Sequence, residues 1–390
     1  MSSEPWGIIK EIAEIARNLP GGLYLVGGPL RDLLLGKRIK DLDLAVDGDQ
    51  FLLAKRIARR IKGNLTFFPQ FLTAKIISPE MTIDIARTRK EIYEKPAKLP
   101  RVFPATIVED LKRRDFTINA IAYDLKKKKF FDPLHGREDL KKGLIRILHQ
   151  NSFVDDPTRI FRAIRFEIRF GFAIEKETFL RMREAIKESF ISLLSGERVL
   201  QELRLVMKEK RWREMIERIN QLGIFKSYFG KNLPKRVMES LLLIRERNIP
   251  KDYLLLYLLS FLPTERLPLT REEKKGISFF QKFSSLKRRL RRIKRPSKIY
   301  EALMDFPKPV LLLVKELLDE ERKEKIERFL RTLSKIKPTL SGKELKRLGV
   351  KPEVKYGEFL RKLLARRLNG QIKTKRDEIK YLQRLTQGYG

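Results

Sequence analysis

The spacing of apolar positions changes character near residue 155. Before it, short apolar or alternating runs are separated by glycine turns; beyond it, nearly every segment repeats apolar residues at helical spacing. Residues 5–18 place Ile8, Ile9, Ile12 and Ile15 on one stripe, which predicts an amphipathic helix capped by Ser3. Leu23-Tyr24-Leu25-Val26 runs into Gly27-Gly28 and a helical stretch to Leu35 stopped by Gly36, the pattern of strand, turn and helix. Asp41-Leu42-Asp43-Leu44-Ala45-Val46 alternates with period two, sending Leu42 and Leu44 to one face of a strand and both aspartates to the other. A helix over 50–62 and strands near 64–68, 72–77 and 81–86 follow, then a basic stretch from Arg87 to Pro104. Up to about Leu148 the chain reads as α/β, its sheet covered by helices on one side; the rest reads as all-helical. Breaks are expected at Gly223, Asn248 to Pro250, Pro263 to Pro268, Pro296, Pro307 to Pro309 and Pro338, and no repeat of fixed period is present.

Composition narrows the chemistry. The 87 Lys and Arg outnumber the 50 Asp and Glu, a net charge of +37, which points to a polyanionic partner, nucleic acid first. The 42% of apolar residues excludes wholesale disorder. No apolar run approaches the ~20 residues that span a bilayer, and the N-terminus lacks an export signal. A soluble, cytoplasmic protein without a membrane partner is expected. Zero cysteines exclude disulfides and thiolate chemistry, and His135 and His149 are the only imidazoles. A metal site would be built from carboxylates, which select hard ions such as magnesium. The acid-free run from Lys287 to Lys298 is either a solvated helix face or, as we read it, a surface that tracks phosphates.

Two carboxylates at i and i+2 on one strand face can share divalent ions, as two-metal phosphoryl transfer requires. A lone Asp-x-Asp is more often a strand end facing solvent. The weight of Asp41 and Asp43 comes from the upstream Gly27-Gly28 turn and Arg31, which offer backbone N–H groups, a helix N-terminus and a guanidinium to a triphosphate. Asp84 takes one face of a later strand, either as a third metal ligand or as the ion-pair partner of a nearby arginine.

These residues carry a family resemblance. Leu25-Val26-Gly27-Gly28-Pro29-Leu30-Arg31-Asp32 followed by Asp41-Leu42-Asp43 resembles the head of the class II tRNA nucleotidyltransferase and bacterial poly(A) polymerase family. The run Glu109 to Ala120, containing Arg113-Arg114-Asp115-Phe116, resembles its second signature. Asp132-Pro133 to Gly136 with Asp139-Leu140 resembles the connecting motif, and Phe153 to Phe166 the nucleotide-recognition helix. Together with Glu197-Arg198 and Glu202-Leu203 these motifs cover roughly residues 20–205. Ser341 to Leu345 and Gly370-Gln371-Ile372 resemble a weaker C-terminal pattern. Pro29, where the family has a small residue, and Asp155-Asp156, where it has Glu-Asp, depart from the pattern without removing a proposed ligand.

In the recognition helix, Asp155 and Pro157 suit an N-terminus, and Ile160, Phe161, Ile164 and Ile168 suit a buried stripe. Arg159, Arg162, Arg165 and Arg169 share a neighbouring face. Cytosine and adenine both set an amine donor beside a ring-nitrogen acceptor. One carboxylate, Asp156, and one guanidinium, Arg159, can therefore pair with both while rejecting uracil and guanine. The resemblance implies the same two roles, and further implies that Gly27, Gly28, Arg31, Arg114, Asn119, Arg162 and Arg165 bind the nucleotide. Arg113 is read instead as pairing with Glu109 and Asp110.

The resemblance implies an α+β fold, a polymerase-β-like head with a mixed sheet followed by an all-α neck, body and tail. We expect a head over 1–150, a neck over 151–210, a body over 211–300 and a basic tail over 301–390. The implied activity is template-independent addition of the tRNA CCA end, complete or only its terminal A, from CTP and ATP with two Mg2+ ions and release of pyrophosphate. The acceptor and TΨC arms of tRNA would be held by backbone and shape, with Lys287, Arg288, Arg291, Arg292 and Lys343 as candidate contacts. No obligatory protein partner is evident. Arg87 to Val108 stands in the place of a flexible loop that CC-only variants lack, which disfavours CC-only addition. Poly(A) synthesis is disfavoured because the long basic extension of such relatives is missing, and an inactive RNA-binding relative because Asp41 and Asp43 are intact.

Overall fold

The computed structural model describes residues 4–245, 249–348 and 356–386; Ser3, the expected cap, lies outside them. The chain forms two compact units, Met1–Asn232 and Leu233–Gly390.

The first unit opens with helix α1 (Glu4–Ala16), which buries Ile9, Ile12 and Ala16. A seven-stranded sheet follows in the order β3-β4-β5-β2-β1-β8-β9. Its strands are β1 (Leu23–Val26), β2 (Asp41–Val46), β3 (Asn64–Phe68), β4 (Thr73–Ile77), β5 (Thr82–Arg87), β8 (Ala122–Asp124) and β9 (Lys129–Phe131). β2 and β5 run parallel, and every other pairing in this sheet is antiparallel. Helices α2 (Gly27–Leu34) and α3 (Gln50–Ile61) are inserted between strands, and Leu23, Leu25, Leu42, Leu44, Leu53, Ile57 and Ile76 are fully buried. At ~1.5 to 3 kcal/mol per buried aliphatic side chain, this layer is a main source of the unit's stability.

The sheet is not covered on one side alone. Helix α4 (Ile107–Lys112) packs Ile107 and Leu111 against Val26, Ala45 and Ala122. Ala45 shares the β2 face of Asp41 and Asp43, so α4 sits beside the aspartates and the residue two beyond it, Arg114, reaches Asp43. The small Ala45 and Ala122 make that approach possible.

The stretch Arg87 to Pro104 also departs from expectation, because it forms a separate hairpin of β6 (Arg89–Ile92) and β7 (Arg101–Pro104). On β6 the more buried positions are Arg89 and Glu91, paired with each other and, through Glu91, with Arg113; on β7 they are the adjacent Val102 and Phe103. An apolar-in, polar-out pattern is therefore absent. Helix α5 (Gly136–Lys142) follows, with the Asp132 carboxylate accepting the N–H groups of Gly136 and Arg137. Beyond residue 155 one strand does occur: β11 (Ala173–Ile174) pairs in parallel with β10 (Leu144–Ile145), two residues each and too short to register as a period. Helices α6 (Ser152–Asp155), α7 (Thr158–Phe170), α8 (Lys176–Lys187), α9 (Gly196–Lys208), α10 (Trp212–Gln221) and α11 (Ile224–Phe229) complete the unit. In α7, Ile160, Phe161 and Ile164 are buried as expected, whereas Ile168 is half-buried.

The second unit is helical throughout its described residues. One of its cores joins Leu340, Leu345, Phe359, Leu363, Ile372 and Leu382. The Ser341 to Leu345 pattern resolves into a capping box, Ser341 with Glu344, that starts a short helix. The fully buried Glu378 accepts the N–H groups of Thr339 and Leu340 and pairs with Arg367 at 2.7 Å. No described helix is long and apolar enough to cross a membrane.

Candidate active site

β1 ends directly in α2: Gly27 turns the chain at a φ of 72°, and no side chain caps the helix. The first N–H groups of α2 are thus unspent by any capping side chain. A Cβ built on Gly27 would lie 3.0 Å from both an Arg114 guanidinium nitrogen and the Asp43 Oδ2. Glycine is therefore required twice, for the left-handed backbone and for the close approach of two charged groups.

On β2, Asp41 is exposed and Asp43 half-buried. Register sets their neighbours: Asp43 lies beside Asp84 on β5, and Asp84 beside Lys75 on β4. Burial pushes the Asp43 carboxyl up to about 6, the charges of Asp41 and Asp84 add to the shift, and Arg114 opposes it. Asp84 pairs with Lys75 at 2.9 Å, so its counter-ion is a lysine from the next strand rather than an arginine. Among the described residues, no group of three acidic or imidazole side chains is arranged to hold a metal ion. Two same-face carboxylates of hard oxygen donors, one of them destabilised by burial and by like charges, nevertheless fit magnesium, with remaining positions left to water and phosphate oxygens.

Above the turn, a chain of charged hydrogen bonds fixes the arginines. Arg31 is buried, donates to the Asn119 Oδ1 at 2.5 Å and to Asp32, and lies over the rings of Phe166 and Phe170 at 5.0 and 4.7 Å. Asn119 donates to Asp115, whose other oxygen accepts from Arg162 at 2.7 Å. Burial alone would raise the Asp115 carboxyl, but Arg162 and the bonds from Asn119 and Arg162 hold it down at about 2. Arg113 and Arg114 share Asp110, one on each oxygen at 2.8 Å, and Arg113 also reaches Glu91. Of the pairing expected for Arg113, Asp110 is present; Glu109 instead closes the Thr106 capping box of α4.

Asp156 closes α6 and precedes α7, whose N-cap is Pro157. Its Oδ1 accepts from the Thr158 N–H, the Thr158 hydroxyl and Arg198 of α9, at 3.0, 2.5 and 2.5 Å. Arg159 is held by the Ser152 hydroxyl at 2.6 Å and the Arg113 carbonyl at 2.9 Å.

These groups converge on one cleft of about 330 Å³. Gly27, Gly28, Arg31, Asp43, Arg114, Asn119, Asp156, Arg159 and Arg162 line it. Asp41 and Asp84 lie outside the lining, on the same sheet face as Asp43. Arg165 is not brought to the cleft: it is buried against Glu202 at 3.0 Å and Glu209 at 3.6 Å. Neither histidine lines the cleft; His149 stands 3.9 Å from Asp155. Sequence reasoning missed Glu91, Tyr93, Asp115, Thr158 and Glu202 on the wall, and Arg198 behind it. Asp115, Arg198 and Glu202 sit inside the motifs already noted, but Glu91 and Tyr93 carry no such signal.

In the second unit, Lys287, Arg288, Arg291 and Arg292 are all exposed on the helix Phe283–Arg292, which buries Leu286 and Leu290. Arg288, Arg291 and Arg292, with Arg289 and Lys298, line a groove of about 850 Å³; Lys287 is outside that lining, and Lys343 is exposed on the helix Gly342–Arg347.

Residues 23–146 match the family described as the poly A polymerase head domain, and residues 171–234 the one described as a probable RNA and SrmB-binding site of polymerase A. The chain is 35% identical over 365 residues to an A-adding tRNA nucleotidyltransferase of Aquifex aeolicus, covering 87% of this chain but 44% of that longer protein. It is 30% identical to the A-adding tRNA nucleotidyltransferase of Halalkalibacterium halodurans, over 96% of this chain and 91% of the relative. A solved CCA-adding enzyme in an apo form superimposes with a TM-score of 0.84 at 31% identity, over 98% of this chain and 96% of the other.

Proposed function

The chain belongs to the class II tRNA nucleotidyltransferase and poly(A) polymerase family, and from that premise we propose that it adds the 3′-terminal nucleotides of tRNA without a nucleic-acid template, the terminal A above all. The observation that supports this reading is that one cleft holds the Gly27–Gly28 turn, Asp43 and the Asp156–Arg159 pair together. The A-adding names of both curated relatives support the choice of product. We keep the head, neck, body and tail over 1–150, 151–210, 211–300 and 301–390 as part of this reading.

Asp41 and Asp43 would hold divalent magnesium, which when bound supplies positive charge against the phosphate oxygens and acidifies the attacking 3′-hydroxyl. The protein's own groups do the rest. The unspent N–H groups of Gly27 and Gly28 and the guanidinium of Arg31 bind the triphosphate. Arg114 and Arg162, each held by a buried carboxylate, face the same phosphates without rotational freedom to lose.

Base choice rests on Asp156 and Arg159. All donors to Asp156 fall on Oδ1, so Oδ2 is left to accept from an exocyclic amine while Arg159 offers N–H to the ring nitrogen. Guanine or uracil would leave both groups mispaired, at about 1 to 3 kcal/mol each.

The deciding experiment offers tRNAs ending at the discriminator base, after the first C and after the second C, with each labelled nucleoside triphosphate. Incorporation of A only onto the CC end is expected of an A-adding enzyme. Extension of all three ends would assign complete CCA addition, and no extension of any end would overturn the reading.

A further inference from the structure

A second cationic site lies at the other end of the sheet. β8 runs antiparallel to β1, with Ala122 beside Val26 and Asp124 beside Tyr24, so the turn after β8 is remote from Gly27. That turn and the first residue of β9 carry Lys126, Lys127, Lys128 and Lys129. The Asp124 carboxylate accepts the N–H groups of Lys126 and Lys127, both at 2.9 Å, and Lys128 adopts a φ of 55°. The Lys126 ammonium donates to the carbonyls of Leu19 and Gly21, which ties the turn to the segment after α1. The other three ammonium groups are on exposed residues.

Between this turn and α1 is a cavity of about 410 Å³, walled by Trp6 and Lys10 on the helix, Arg17 just after it, Tyr123 on β8, and Lys126 and Lys128 on the turn. Aromatic faces line it at Trp6 and Tyr123 and continue past it to Phe130. Trp6 is 44% exposed; Tyr123 is the register partner of Phe130, with ring centroids 4.9 Å apart; Phe130 is 40% exposed and has Arg137 4.3 Å above it. Acidic relief is scarce. Asp124 is engaged by the turn and Glu11 by Arg60, leaving Glu14 as the carboxylate on the cavity wall.

We propose that this face binds single-stranded RNA, separately from the active-site cleft. Bases stack on Trp6, Tyr123 and Phe130, and Lys10, Arg17 and Lys127 to Lys129 hold phosphates. Aromatic platforms interleaved with cations select unpaired strands, because a duplex has no free base face to offer. The concave wall at Trp6 admits one splayed nucleotide and disfavours a flat anionic membrane.

The chain's two tryptophans make the test local, since Trp212 is fully buried and a ligand-induced change in emission reports Trp6. The full chain is titrated with fluorescein-labelled oligouridylate, following anisotropy and tryptophan emission. Quenching on binding is expected, with Trp6→Phe abolishing the quench and Trp6→Ala weakening binding about tenfold. Replacing Lys127, Lys128 and Lys129 by Ala should flatten the log–log salt slope by about 2. Circular dichroism melts confirm folding of each variant, and addition to tRNA should be unchanged in all of them. Binding with unaltered Trp6 emission, an unaltered salt slope, or quenching only by duplex RNA or phosphatidylserine vesicles would overturn the proposal. Loss of tRNA extension in these variants would overturn the separateness of the site while leaving the transferase reading intact.

Discussion

Arg198 of α9 donates at 2.5 Å to the same Asp156 oxygen that Thr158 already engages. Its other amino group donates to the Ala97 carbonyl at 2.7 Å, within the segment between β6 and β7. Arg198 is thus a positioning residue for the carboxylate that reads the base. Arg198→Ala should lower the discrimination of ATP against GTP about tenfold, the equivalent of one lost charged hydrogen bond. The ratio of kcat/KM values for the two nucleotides checks this, with tRNA affinity unchanged and Arg198→Lys recovering part of the loss.

Asp43→Asn removes a charge from the strand pair without changing its shape. Addition should fall by about a thousandfold or more, as expected for loss of a group that organises charge at the transferring phosphate. Single-turnover incorporation of labelled ATP measures the loss, and filter binding of tRNA should be unaffected.

Gly27→Ala places a methyl 3.0 Å from Arg114 and Asp43 at a left-handed backbone angle. The backbone cost alone is about 1 kcal/mol. Activity should fall by far more than the accompanying shift in denaturant midpoint would explain, because the two charged groups must part. Comparing urea unfolding with kcat separates the effects.

Asp115 contributes stability that depends on pH. Its folded-state carboxyl is held at about 2, below the ordinary value near 3.8, so its stabilisation is complete above pH 4 and is lost as pH falls from about 4 to about 2. The contribution is about 2 kcal/mol. Asp115→Asn should be less stable near neutrality and should lose that segment of the acid-unfolding profile.

Replacing Arg288 and Arg292 by Gln in the basic groove of the second unit should weaken tRNA binding without altering base choice. The slope of log affinity against log salt should decrease by about 2, and kcat at saturating tRNA should hold.

Local patterns made much of the site readable. The Gly27–Gly28 turn, the alternation around Asp41 and Asp43 and the start of α7 near Pro157 each depend on a few neighbouring residues. The hairpin of β6 and β7 escaped because the inward positions of β6, Arg89 and Glu91, are charged and paired and the half-buried Val102 and Phe103 of β7 are adjacent, so no apolar alternation advertises it. The helical spacing that set Arg165 beside Arg159 and Arg162 is real, yet Glu202 and Glu209, which no local spacing brings near, claim its guanidinium.

What the chain's order of residues determined by itself is most of the elements and the carriers of chemistry, since period, turn glycines and charge are properties of short segments. Tertiary structure alone decided which of those carriers meet. The parallel register of β2 and β5 sets Asp84 beside Asp43, the small residues Ala45 and Ala122 admit α4 with its two arginines, and α9 brings Arg198 to Asp156 across 42 residues. Pairings at such separation depend on how whole layers pack, and packing leaves no mark in the spacing of neighbouring residues.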